Sequence, residues 1–164
     1  MIIHPIKPVY DENSEILILG SFPSVRSREE GFFYGNPTNR FWKVLGSIYG
    51  EDVPKSIEAK TSFLLKHGIA LWDVISSCDI SGSSDSTIKN VTANDIRPII
   101  DRSHIGRIFV NGKKAEEYYG KYILPVSGIR AEYLPSTSPA NASFGLEELT
   151  GIWKNTIFAK TEMK

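Results

Sequence analysis

The chain alternates short apolar runs with longer amphipathic stretches. Ile16-Leu17-Ile18-Leu19 is an uninterrupted apolar run that ends in Gly20, the pattern of a strand buried on both faces. Gly68-Ile69-Ala70-Leu71-Trp72, Arg107-Ile108-Phe109-Val110 and Arg130-Ala131-Glu132-Tyr133-Leu134 predict three further strands. Helical spacing fills the intervals. Phe41, Val44, Leu45 and Ile48 fall on one helix face, with Thr38 or Asn36 as candidate caps and Pro37 beside them. Pro54 to Lys66 predicts a helix with Ile57, Phe63 and Leu64 inward. Asn94 to Asp101 predicts another, with Asn94 as its cap and Pro98 in the first turn, where no intrahelical N–H is needed. Gly112 to Tyr122 follows the third strand directly, and Leu146, Leu149, Thr150, Trp153 and Ile157 mark a last amphipathic helix. The serine-rich stretch from Ser76 to Asn90 reads as a long loop. Strands separated by helices imply right-handed crossovers and a parallel sheet covered on both faces. The expected architecture is a three-layer α/β/α sandwich with a short, mainly parallel four-stranded sheet. Ligands in such folds bind at the C-terminal strand ends, so the segments after Gly20, Trp72, Val110 and Leu134 are the candidate chemistry.

The first of these segments runs from Gly20-Ser21-Phe22-Pro23-Ser24 to Gly31-Phe32-Phe33-Tyr34-Gly35-Asn36-Pro37-Thr38-Asn39-Arg40-Phe41-Trp42. Aromatics in a loop at strand ends can stack on a planar ligand, including an unstacked base. Phe32 and Phe33 read equally well as a satellite core, whereas Tyr34, beside Gly35, reads as ligand-facing. Leu134-Pro135-Ser136-Thr137-Ser138-Pro139-Ala140-Asn141 sets three hydroxyls between two prolines. Hydroxyls and backbone N–H groups there suit phosphate contact, although Ser/Pro turns are common. Asn111 at the third strand end is either a helix cap or a reader of a base edge, since its amide both donates and accepts. Lys113 and Lys114 open a helix against its dipole, as a nearby anion would favour. Asp73 is an ion-pair partner, a loop cap or a group that orients water or a base.

Composition narrows the class. The 164 residues are expected to form one domain with room for little else. Nineteen basic residues balance nineteen acidic ones, which excludes a broadly cationic nucleic-acid binder. Arg26, Arg28, Arg40, Lys43, Lys113 and Lys114 still allow a local patch near the candidate loops. The single cysteine, Cys78, forms no internal disulfide and is expected to be a small buried hydrophobe. No apolar run approaches the ~20 residues of a membrane span, and the start carries no signal-peptide pattern, so the expectation is a cytoplasmic protein. His4, His67 and His104 are scattered and Cys78 has no partner at ligand spacing, so no metal site is expected. Glycine-rich phosphate loops are absent.

Three segments resemble the uracil-DNA glycosylase superfamily, most closely its hypoxanthine-DNA glycosylases and next its mismatch-specific uracil-DNA glycosylases. They are Gly20 to Ser24, Phe33 to Trp42 and Leu134 to Asn141, in family order across about Ile16 to Trp153; Asn39-Arg40-Phe41-Trp42 is the most specific piece. The resemblance implies an α/β/α fold and a monofunctional, cofactor-free DNA glycosylase acting on a deaminated base as a monomer, in the cytoplasm of a microbe at its nucleoid. Where mismatch-specific enzymes place a water-positioning Asn, this chain has Phe22, which argues against strong uracil excision. The hypoxanthine group draws its catalytic asparagine from the later part of the motif, which maps to Asn39. By the same resemblance Tyr34 stacks on the base, Gly20, Ser21 and Phe22 line its pocket, and Ser136, Ser138 and Asn141 hold the DNA backbone. Asn111 is the loosest match, as a base reader. The alternatives are a mismatch-directed uracil or thymine glycosylase using Asn39 or Asp73, and a damage-binding module of the same fold without catalysis.

Overall fold

The computed structural model describes residues 1–159. Its centre is a four-stranded sheet ordered β3-β2-β6-β7, formed by β2 (Ile16–Gly20), β3 (Ile69–Asp73), β6 (Arg107–Asn111) and β7 (Ala131–Leu134). Every pairing is parallel, so all four strands end at one edge. Leu17, Ile18 and Leu19 are fully buried, as are Ile108, Phe109 and Val110, which is why these two central strands show no polar alternation.

Helices α2 (Phe41–Tyr49), α3 (Ile57–Lys66) and α7 (Leu146–Ile157) cover one face, where Phe41, Leu45, Phe63, Leu149 and Trp153 pack against Ile18 and Phe109. On the other face α4 (Arg97–Asp101) and α5 (Lys113–Tyr118) bring Ile99, Ala115 and Tyr118 against Leu17, Leu19 and Val110. The chain continues from α5 through a π turn, Tyr119–Ile123, into α6 (Leu124–Ser127), beyond the expected end at Tyr122. The three-layer architecture thus matches the sequence expectation.

Several local expectations differ, among them Ile57, expected inward on its helix but 48% exposed in its first turn. The stretch Ser76–Asn90 is not all loop: β4 (Ile75–Asp79) and β5 (Lys89–Ala93) pair antiparallel with each other, and β4 pairs with β1 (Ile2–Ile3), making a second, three-stranded sheet. Its ladder needs only backbone groups, so serines do not prevent it, and Cys78 is fully buried within it. Helix α3 begins at Ile57 rather than Pro54 because Ser56 caps it, its side chain accepting from the Ala59 N–H. Asn94 does not cap α4; its amide donates to the Asp73 and Ile75 carbonyls, while the Asp95 side chain accepts the Arg97 N–H. A short helix α1 (Val25–Glu30) interrupts the loop after β2, capped by Ser24, whose hydroxyl accepts the Ser27 N–H.

Candidate active site at the strand ends

The loops after β2, β6 and β7, the end of β3 and the connection between β4 and β5 surround a cleft of about 950 Å³. Each tryptophan anchors one segment near it. The Trp42 indole donates to the Phe33 carbonyl, Trp153 to Pro135 and Trp72 to Ile6. A buried indole N–H must find an acceptor, and here the acceptors lie in chain that has no regular ladder of its own.

The aromatic loop divides as its residues suggested. Phe32 and Phe33 are core: Phe32 stacks over Trp42 at 6.2 Å. Tyr34 lines the cleft, with one ring face stacked on Phe41 at 3.9 Å. Its backbone sits at φ 52°, a left-handed conformation that costs a non-glycine residue about 1–3 kcal/mol, and the stack together with a Gly35 N–H to Ser27 hydroxyl bond holds it there. Burial, with Asp73 nearby, pushes its phenol far above the ordinary tyrosine range, so it stays protonated.

Asn111 is neither exposed nor free. Its Oδ1 accepts the Thr137 N–H at 3.2 Å, which orients the amide, and Nδ2 donates to Thr137 Oγ1 at 3.0 Å and to the Tyr34 hydroxyl at 3.1 Å. Thr137 is fully buried, so this amide joins β6, the loop after β7 and the aromatic loop. It does not cap the helix that follows, and at the cleft wall its Oδ1 keeps one lone pair.

Gly20 has no room for a side chain. A Cβ there would lie 2.5 Å from Asp73 Oδ1 and 2.8 Å from the Tyr34 hydroxyl. Asp73 is 4 % exposed, and its Oδ2 accepts from His4 Nε2 at 2.7 Å. His4 Nδ1 accepts the Ile6 N–H, which places the ring proton on Nε2. Phe22 is buried in the core at the cleft wall, edge-on to His4 and beneath the Arg28 guanidinium. Ser21 donates to Asp85 Oδ2 at 2.9 Å. Loss of solvation against the cleft, reinforced by the charge of Asp73, raises the Asp85 carboxyl above its usual range against the pull of the Ser21 bond.

Asn39 lies half-exposed on the cleft wall. Its Oδ1 accepts the Phe41 N–H at 2.9 Å, at the start of α2. One carbonyl lone pair and the Nδ2 protons remain for a ligand. Neither Thr38 nor Asn36 caps this helix; the Asn36 side chain instead accepts from Thr38.

The loop after β7 uses its own backbone donors. The N–H groups of Thr137, Ser138, Ala140 and Asn141 all bond within the protein, so they are not free for the phosphate contact expected of them. Ser136 and Ser138 accept through oxygen and keep their hydroxyl protons. Asn141 donates to the Ser136 carbonyl. Arg40 is not part of a cationic patch: its guanidinium donates to the carbonyls of Phe144, Ser138 and Asn141 at 2.6, 3.2 and 2.8 Å. Arg26 pairs with Glu30, and Arg28 donates to the Gly82 carbonyl. Lys113 and Lys114 line the cleft, and Lys114 is 3.6 Å from Glu117. Among the described residues no cluster of His, Cys, Asp or Glu could hold a metal ion, and no helix is long and apolar enough to cross a membrane.

Sequence reasoning missed His4 and Asp85, and it gave Thr137 a phosphate-facing hydroxyl where the structure buries that residue on Asn111. The only signals were a histidine in an apolar N-terminal segment and a lone acid in a serine run.

The chain matches the Uracil DNA glycosylase superfamily over residues 7–159. It belongs to that superfamily. A hypoxanthine DNA glycosylase of Methanosarcina acetivorans is 39% identical over 148 residues, spanning 88% of this chain and 91% of the relative. A hypoxanthine DNA glycosylase of Methanosarcina barkeri is 39% identical over 136 residues, spanning 82% and 85%. The solution NMR structure of a candidate uracil DNA glycosylase from Methanosarcina acetivorans superposes with a TM-score of 0.78 at 36% identity, covering 94% of this chain and 98% of that one. Within a superfamily defined by glycosylases, the cleft at the strand ends is the natural seat for an extruded nucleotide.

Proposed function

We propose that this protein is a monofunctional DNA glycosylase that releases hypoxanthine from deoxyinosine. The observation that carries the reading is the pairing of Asn39 at the cleft with Phe22 buried beside it, where a uracil enzyme would present an amide or carboxylate. The two hypoxanthine DNA glycosylases at 39% identity support it.

Cleavage breaks the bond between C1′ and N9. The bonding electrons leave with the base, C1′ becomes cationic, and water oxygen closes on it while its proton passes to solvent. The amide of Asn39 is not basic, so it orients that water through the remaining carbonyl lone pair rather than deprotonating it. The flanking DNA phosphates favour the cationic sugar. Hydrogen bonds to the base oxygen and ring nitrogens spread the charge of the leaving group. Tyr34 walls the base pocket with Gly20, Ser21 and Phe22, and the Ser136 and Ser138 hydroxyls hold phosphate on a loop that Asn141 braces. The nucleotide leaves the duplex stack at a cost of a few kcal/mol, least at a mispair.

Labelled duplexes carrying one deoxyinosine or one deoxyuridine, treated with protein and then alkali, test the reading. Strand scission at deoxyinosine is expected, with no protein–DNA adduct trapped by borohydride, since no lysine attacks C1′. Scission at deoxyuridine alone moves the protein to uracil removal. Tight binding without scission at either base makes it a damage-binding module.

A further inference from the structure

Two polar atoms at the floor of the cleft have no task within the protein. The first is Asp73 Oδ1. Asp73 is 4 % exposed, its other oxygen is held by His4, and Oδ1 accepts no hydrogen bond among the described residues although it borders the cleft. The second is the Tyr34 hydroxyl proton. Asn111 Nδ2 donates to the Tyr34 oxygen, and that direction is forced because Asn111 Oδ1 already accepts the Thr137 N–H. Tyr34 therefore accepts from Asn111 and has its own proton left to give. Both atoms converge on the bare face of Gly20, at 2.5 and 2.8 Å from the point a Cβ would occupy. The floor thus presents a fixed acceptor and a fixed donor side by side.

The geometry points to Asp73 and Tyr34 as the pair that reads the edge created by deamination: the Tyr34 hydroxyl donates to the base carbonyl, and Asp73 Oδ1 accepts the adjacent imino N–H. In hypoxanthine these are O6 and N1–H, and in uracil O4 and N3–H. Adenine and cytosine present the reverse, an amino donor beside a bare ring nitrogen. Against them the phenol proton faces an amino group and the carboxylate oxygen faces a lone pair. Two unpaired contacts in a buried site reject a ligand more strongly than one missing contact weakens it. Guanine and thymine share the deaminated edge, so their exclusion falls to the shape of the cleft. His4 is a positioning residue, because its Nε2–H holds Oδ2 and aims Oδ1 at Gly20. Burial keeps the Tyr34 phenol protonated and so keeps it a donor.

This inference rests on the glycosylase reading and is tested separately from it. The substrates are duplexes holding one deoxyinosine or one deoxynebularine, a purine that lacks O6 and has a bare N1. The variants are Tyr34→Phe, which leaves Asn111 its bond to Thr137, and Asp73→Asn. Each variant's inosine-to-nebularine ratio of kcat/KM is compared with that of the unaltered protein, which cancels the intrinsic lability of the two bases. The ratio is expected to fall about 10-fold in Tyr34→Phe and about 10- to 100-fold in Asp73→Asn. A merely structural role lowers both substrates together. Ratios within about threefold of the original, in variants that melt normally, overturn the inference while the glycosylase reading stands. If Asp73→Asn does not fold, Tyr34→Phe decides alone. An unaltered protein that releases no base from either duplex ends the glycosylase reading and this inference with it.

Discussion

Asn39 is placed to serve both the fold and the proposed chemistry. Its Oδ1 holds the first free N–H of α2, and its remaining lone pair and Nδ2 face the cleft. The two duties separate by substitution. Asn39→Ala is expected to slow hypoxanthine release about 100-fold through loss of water placement and to cost about 1 kcal/mol of stability through loss of the acceptor for the Phe41 N–H. Asn39→Ser restores an acceptor oxygen and is expected to recover most of the stability but little of the rate. Single-turnover cleavage and denaturant unfolding on the same preparations check both. An Asn39→Ala protein that cleaves deoxyinosine at the original rate removes Asn39 from the reaction. Asn111, by contrast, spends both Nδ2 protons on Thr137 and Tyr34 and keeps one Oδ1 lone pair. In the proposed base pocket its part includes orienting the Tyr34 hydroxyl.

Among the elements, the loop from Pro135 to Phe144 is the one whose shape comes from elsewhere. It has no ladder, and three outside groups hold it: the Arg40 guanidinium, the Asn111 amide and the Trp153 indole. Arg40 resembles a DNA contact in sequence, being a cation in the most specific motif, yet it satisfies carbonyls. Arg40→Met is therefore expected to destabilise the protein by about 3 kcal/mol and to speed hydrogen exchange at Thr137, Ser138 and Asn141. A phosphate-binding Arg40 would behave oppositely, leaving unfolding unchanged and weakening DNA binding. Chemical denaturation with exchange mass spectrometry separates the two. The serine-rich connection between β4 and β5 is held differently, by Ser21 on Asp85, Ser83 on the Val25 N–H and Arg28 on the Gly82 carbonyl. Both loops close the cleft through contacts made to other segments of the chain.

For the molecule as a whole, charge balance decides how DNA is held. With net charge zero, no long-range field gathers phosphates, and of the six cations near the candidate loops Arg26, Arg28, Arg40 and Lys114 already have partners within the protein. Lys113 and Lys114 line the cleft, and the phosphate contacts proposed for the neutral hydroxyls of Ser136 and Ser138 release no counterion. Binding to an undamaged duplex is expected to be weak, with log K falling against log salt at a slope of about −2. Fluorescence anisotropy between low and moderate salt measures it. A slope near the roughly −10 of a strongly basic repressor contradicts this picture.

The central strands, the helix faces and the polar segments at the strand ends are all legible in the linear sequence, because burial on two faces or on one stripe imposes a period of its own. Leu17 to Leu19, Ile108 to Val110 and the Phe41 to Ile48 face read directly, and so does the place where a ligand must bind. The second sheet does not, since a backbone ladder between β1, β4 and β5 leaves no apolar period in a run of serines. Nor do the pairings that turn candidate residues into a site. His4 and Asp73 are 69 residues apart, Ser21 and Asp85 are 64 apart, and Arg40 reaches carbonyls 98 to 104 residues away. Sequence alone determined the layers, the edge that carries the cleft and the residue types around it. Only the tertiary structure decided which of those side chains still have hydrogen-bonding capacity for a ligand, because that depends on partners brought together by folding and not on neighbours along the chain.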